Sequence, residues 1–186
     1  MHMGSFSEGT VRIAQARAQK MGILKNSFCN GNGSCVGFIG EAMVLQLLWR
    51  NDIPASLADT FNYDICAGTA AVKLEVKTMT AKVAPKQTTR LLNLVSAHNA
   101  CQQADFYVFV RVVWRNSSDF LQGGDAYLCN ALPCTQLKQV ATYKTKAHHN
   151  FRSDCWAVEV NKCLTWQDLC AALTSRQVLN KSKLDK

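Results

Sequence analysis

The segment Asp105-Phe106-Tyr107-Val108-Phe109-Val110-Arg111-Val112-Val113-Trp114 constrains the fold more than any other stretch of this chain. It is almost continuously apolar and rich in β-branched and aromatic side chains, so an extended backbone here has no polar face to offer water. Such a run suits a central strand covered on both sides. That in turn demands layers of helices or further strands on each face of a sheet.

The rest of the chain supplies them. A length of 186 residues is that of one ordinary domain, and 48% hydrophobic against 18% charged residues with 3 Pro excludes a disordered or proline-rich chain. Thr10 is a possible N-cap for a helix over 11–21, ended by Gly22. Residues 26–37, rich in Asn, Gly and Ser, read as a loop. A helix fits 38–50, where Phe38, Ile39, Ala42, Met43, Leu45, Leu48 and Trp49 make a wide apolar face. Residues 61–66 and 72–77 alternate large apolar with polar or small side chains, and the short Ala67-Gly68-Thr69-Ala70 between them reads as the turn of an antiparallel hairpin. Beyond a basic loop, a helix is expected over 91–103, then the central strand. A loop at 116–124, a strand near 126–132, a short helix around 135–140, a basic loop to Arg152, a strand at 155–160 and a helix over 165–175 follow. The class is α/β or α+β with one mixed sheet. The expected organisation is a single domain over 1–186: an N-terminal helix and loop (1–36), a core (37–115), C-terminal strands and helix (116–176) and a solvated tail (177–186).

The chemistry is concentrated in the hairpin. Glu75 and Lys77 are two residues apart in an extended segment, so their side chains leave the same face, roughly 6.6 Å apart, while Leu74 and Val76 face the core. If the turn is centred between Thr69 and Ala70, positions whose numbers sum to 139 face each other, which sets Asp64 opposite Glu75. Carboxylates that close repel each other, and a divalent cation resolves the conflict. Mg²⁺ takes oxygen ligands, commonly one or two carboxylates with water and phosphate oxygens, and the main-chain carbonyl of Val76 could add another. Mn²⁺ is a possible substitute. Lys77 beside the metal would hold or help deprotonate an attacking water and stabilise charge growing on a phosphate. The competing reading is an exposed, salt-bridged face of an edge hairpin.

The series Gly40-Glu41 early in a helix, Tyr63-Asp64, Glu75-Val76-Lys77 after a short hairpin, then a helix and a hydrophobic strand, resembles the PD-(D/E)XK nuclease superfamily. That superfamily includes restriction endonucleases, Holliday-junction resolvases and phage nucleases. The resemblance covers about residues 37–115; Tyr63 stands where the pattern has proline. It implies a restriction-endonuclease-like core, a mixed central sheet flanked by helices. It further implies that Asp64 and Glu75 are metal ligands, Lys77 the catalytic lysine and Glu41 the added helix acid, although an acid in a helix's first turn is also favoured by the macrodipole alone. Asn93, His98, Gln102 or Gln103, from the helix expected after the hairpin, would approach the metal water or the DNA backbone. The implied activity is a Mg²⁺-dependent DNA endonuclease of restriction or phage type. The alternatives are a Holliday-junction resolvase of the same fold and a catalytically silent nucleic-acid-binding module, with RNA a weaker substrate option. A homodimer is expected, because cutting two strands suits two-fold symmetry.

The charge distribution agrees with a polyanionic partner. The net charge is +8, and residues 1–28 hold four basic and one acidic side chain, 73–90 five and one, and 138–152 four and none. Lys73, Lys82, Lys86 and Arg90, in the cluster that brackets the hairpin acids, are candidate phosphate contacts. No stretch approaches the ~20 apolar residues of a membrane span and the start lacks a signal-peptide pattern, so an intracellular, cytoplasmic protein is expected. Nine Cys, an odd number, fit a reducing compartment better than a disulfide framework. Cys129, Cys134, His148, His149 and Cys155 could supply a zinc site, but their spacings are loose and buried thiols are the default. His148-His149-Asn150 is a faint match to a His-Asn nuclease motif, and Cys29 and Cys35 in the polar loop could be redox-active.

Overall fold

In the computed structural model the described residues are 1–21, 32–58, 62–85, 92–96, 103–149 and 154–175. The apolar run at 106–114 is the strand β6 (Phe106–Trp114), and its neighbours define a mixed six-stranded sheet. On one side β6 pairs in parallel with β4 (Val72–Ala81), and β4 pairs antiparallel with β3 (Ile65–Ala67), itself bordered by the edge strand β2 (Ala55–Leu57). On the other side β6 pairs antiparallel with β7 (Gly124–Pro133), which is bordered by β1 (His2–Phe6). The α/β class and the mixed sheet flanked by helices are therefore as the sequence implies. The two edge strands were not anticipated, because three to five residues that are half exposed carry too short a period to read.

Both faces of β6 are buried, each in its own cluster. Phe106, Val108, Val110 and Val112 pack with Leu74 and Val76 of β4 under α1 (Glu8–Met21), α2 (Asn32–Arg50) and α5 (Trp166–Thr174). Ile39, Val44 and Leu48 of α2 are fully buried there, each contributing about 1.5–3 kcal/mol. Tyr107 and Phe109 point the other way and pack with Val95 and Val158 of a second, three-stranded sheet. That sheet has the order β5 (Leu92–Ser96), β9 (Cys155–Glu159), β8 (Thr142–Lys144).

Three expectations are corrected. First, α1 starts before Thr10: the Ser7 carbonyl accepts the Val11 amide at 3.2 Å, and Glu8 pairs with Arg12 one turn on at 2.6 Å. Second, α2 starts at Asn32 inside the stretch read as loop, because Cys35 and Val36 have core to pack against and tertiary burial overrides the poor propensity of Asn, Gly and Ser. Third, 92–96 is the strand β5, not part of a helix, with all five residues paired to β9 and Val95 buried. Leu-Asn-Leu-Val-Ser fits either period, and the partner strand decides. The basic loop before Arg152 also contains β8 and a short helix, α4 (Lys146–His149), following α3 (Leu137–Val140).

Two glycines fix what surrounds the hairpin. Gly68 opens the turn at φ +74°, and a Cβ there would sit 2.3 Å from the Leu173 carbonyl oxygen of α5, so the turn seats directly on that helix. Gly40 of α2 faces β4 so closely that a Cβ would lie 1.8 Å from the Thr78 hydroxyl oxygen. Its neighbour Glu41 is brought to the sheet by that approach.

Candidate active site

The hairpin register is the one the sequence implies: Ile65 faces Leu74, Cys66 faces Lys73 and Ala67 faces Val72. Asp64 lies one residue before β3. Its amide donates to the Leu74 carbonyl at 2.9 Å, and its carboxylate accepts the Val76 amide proton at 2.7 Å. The side chain thus takes the place of a ladder carbonyl where the strand pairing ends, which ties the carboxylate against β4. Val76 meets the acid set through its amide.

Glu75 and Lys77 stand in register with Tyr107 and Phe109 of β6, on the face opposite Leu74 and Val76. Glu75 is buried, and the Lys77 ammonium donates to its carboxylate at 2.5 Å. The reading of an exposed ion pair on an edge hairpin is excluded by position, since β4 has neighbours on both sides. Glu41 is buried too, at 8% exposure, and reaches the group from α2. Its carboxylate receives the Arg17 guanidinium at 3.2 Å, and that guanidinium lies 4.1 Å over the Phe38 ring.

Glu75 and Glu41 both act on Asp64. Burial raises the Asp64 carboxyl to about 8, and the charges of Glu75 and Glu41 push in the same direction. The Val76 hydrogen bond and the Lys77 charge oppose them without prevailing. A carboxylate held in such a position is short of positive charge. The donor set is all oxygen, which suits a hard cation of the Mg²⁺ type, and such an ion needs only one or two carboxylates with water completing its shell. Among the described residues no three His, Cys, Asp or Glu side chains form a group that could hold a metal ion.

The remaining sequence candidates divide. The Lys73 ammonium lies 5.4 Å over the Tyr63 ring, and Lys82 is exposed just beyond β4. Asn93 belongs to β5 rather than to a helix, and Gln103 is exposed. Lys86, Arg90, His98 and Gln102 lie outside the described residues, as do Cys29 and Asn150. Cys35 is within α2, its thiol raised by burial, rather than in an open loop. Cys134 lies near the acid–lysine pair: burial raises its thiol to about 12, the Tyr107 hydroxyl bonds to it, and the charges of Glu75 and Lys77 act on it.

No protein-family model and no curated protein matches the chain. Among solved structures, Hjc of Archaeoglobus fulgidus, a Holliday junction resolvase from an archaeal hyperthermophile, is similar at 14% identity and a TM-score of 0.41, covering 76% of this chain and 98% of that one. None of the described helices is long and apolar enough to cross a membrane.

Two contributors were missed from sequence. Arg17 lies on a helix outside the recognised series, and nothing in its own neighbourhood separates it from the surface cations Arg12 and Lys20. The Gly40–Thr78 approach was half legible, since a glycine inside an apolar helix signals a close neighbour, but which neighbour is a tertiary fact.

Proposed function

We propose that this chain is a Mg²⁺-dependent DNA endonuclease that hydrolyses phosphodiester bonds. The observation that carries the reading is the Asp64 carboxyl, raised to about 8 by burial beside Glu75 and Glu41 although Lys77 is close by. Folding alone disfavours a buried surplus of carboxylates, and a cation-binding role accounts for it. Asp64 and Glu75 would hold the ion. When bound, it supplies positive charge toward the phosphate and makes a water molecule more acidic.

The chain's own groups do the rest. Val76 fixes the Asp64 carboxylate through its amide, so that oxygen is oriented before any ligand arrives. Lys77, anchored on Glu75, carries a proton donor and a full positive charge at the same face, suited to orienting a nucleophile and to balancing charge on a phosphate. Glu41, steadied by Arg17, adds a third carboxylate.

The test compares a supercoiled plasmid with a synthetic four-way junction, each with Mg²⁺, with Mn²⁺ and with chelator. Nicking or linearisation that needs the metal and disappears in Lys77→Ala and Asp64→Asn supports the reading. Resolution of the junction with the plasmid left intact would narrow it to a resolvase. Binding of DNA without cleavage over several divalent metals would replace it with a silent binding module.

A further inference from the structure

We propose that Tyr107 is a positioning residue for Glu75: its ring, tethered at the far end by Cys134, fixes the direction of the carboxylate so that Glu75 and Asp64 can share one cation. The inference rests on the metal-dependent reading above. Tyr107 stands directly beside Glu75 in the parallel pairing of β4 with β6, and Phe109 stands beside Lys77. Neighbouring strands lie about 4.8 Å apart, so side chains in register on one face meet along their length. Both rings are buried, at 2% and 0% exposure, and they lie within 23° of parallel with centroids 6.3 Å apart. The Glu75–Lys77 ion pair therefore runs beside two rigid, stacked rings.

The Tyr107 ring is itself held on every side that the fold offers. Leu132 of β7 is in register with it on the flank away from Glu75, and Val95 and Val158 of the small sheet pack in the same cluster. Its hydroxyl bonds to the Cys134 thiol, and that thiol lies close enough to Glu75 and Lys77 to feel both charges. Cys134 opens the single helical turn Cys134–Gln136, and its amide donates to the Asp105 carbonyl at 2.9 Å, just before β6. Ring, thiol and ion pair thus form one packed group tied to the start of β6. An ion pair between two long side chains on the same strand leaves them free to swing together, and an immobile ring beside the acid removes that freedom. The chemistry of the ion makes this matter. Mg²⁺ demands near-ideal octahedral geometry and gives up its water reluctantly, so it tolerates a misdirected carboxylate less well than the larger Mn²⁺ does.

The experiment titrates Mg²⁺ and Mn²⁺ separately into the full chain by calorimetry, without DNA, so that the readout is binding and not turnover. Tyr107→Leu should weaken Mg²⁺ about tenfold and Mn²⁺ less than about threefold, while Tyr107→Phe, which keeps the ring, should stay within about threefold of wild type for both. Val158→Ala removes volume from the same buried cluster but leaves the neighbour of Glu75 in place. It should lower the melting temperature and leave Mg²⁺ affinity within about twofold of wild type. Equal weakening of the two metals in Tyr107→Leu, or a loss of Mg²⁺ affinity in Val158→Ala as large as in Tyr107→Leu, makes Tyr107 a packing residue only and overturns the proposal. Should Tyr107→Leu fail to fold by circular dichroism, Tyr107→Met, closer to the ring in length, is judged by the same criteria. If wild type binds neither metal, the metal-dependent reading fails and the positioning role with it. If wild type binds Mg²⁺ and Tyr107→Leu binds it as tightly, the positioning role alone fails.

Discussion

The Val76 amide donates to the Asp64 carboxylate at 2.7 Å, although Asp64 lies just outside the strand that pairs with β4. This one bond orients the acid and also keeps it partly ionisable in a site that otherwise favours its neutral form. Asp64 is the group through which stability and the proposed function pull in opposite directions.

A stability consequence follows for pH. Asp64 titrates at about 8 in the folded chain against an ordinary value of 3.8, so between those limits the folded state binds more protons than the unfolded one. Its contribution to stability is full below 3.8 and is lost as pH rises toward about 8. Asp64→Asn removes the titration and keeps an acceptor for Val76. In chelator at pH 8.5 the variant should melt higher than wild type by about 4 °C or more, with the gap closing near pH 4. A gap that does not change with pH in thermal melts would refute the assignment.

Metal should reverse the same effect. Mg²⁺ bound by ionised Asp64 and Glu75 should raise the wild-type melting temperature more at pH 8.5 than at pH 5.5, because at the lower pH a proton competes for the Asp64 oxygens. Asp64→Asn should lose most of the Mg²⁺ effect at either pH. Calorimetric scans with and without 10 mM Mg²⁺, an amount chosen to be roughly saturating, measure both.

Lys77 and Glu75 should behave as a pair. Removing the ammonium in Lys77→Ala leaves a buried carboxylate without its 2.5 Å partner, which should cost about 2–4 kcal/mol in urea unfolding as well as cleavage. The double change Lys77→Met with Glu75→Gln should recover most of the stability and none of the cleavage. Recovery of cleavage would mean that the pair is structural.

Arg17 should matter to rate more than to affinity. Arg17→Ala frees Glu41 from its guanidinium partner and should lower plasmid cleavage about tenfold at saturating DNA, with binding changed less than twofold. Arg17→Lys restores charge without the planar contact on Phe38 and should rescue only in part. Equal losses in binding and rate would make Arg17 a phosphate contact instead.

Gly40→Ala tests the seating of α2 on β4. The new methyl would lie 1.8 Å from the Thr78 oxygen, and the forced shift should cost about 1–3 kcal/mol. Adding Thr78→Ala removes the closest atom and should return part of it. An unaltered melting temperature in Gly40→Ala would mean that α2 sits farther from the sheet.

What was legible in the sequence was legible because it is local. The period of two in Val72-Lys73-Leu74-Glu75-Val76-Lys77, together with a four-residue turn, determines which side chains share a face and which residue stands opposite, and the hairpin register came out of those alone. The continuous apolar run from Phe106 to Trp114 likewise required a strand covered on both faces. Segments with weak or ambiguous periods were decided by their partners. Leu92-Asn93-Leu94-Val95-Ser96 became a strand because β9 was there to pair with it, and Asn32-Gly33-Ser34 became helical backbone because the residues after it had core to pack against. The site divides in the same way. Asp64, Glu75 and Lys77 belong to one hairpin and follow from its geometry. The approach of Glu41, its pairing with Arg17 and the burial that raises the Asp64 carboxyl depend on how α1 and α2 pack on the sheet, and packing between distant segments leaves no periodic mark in the chain.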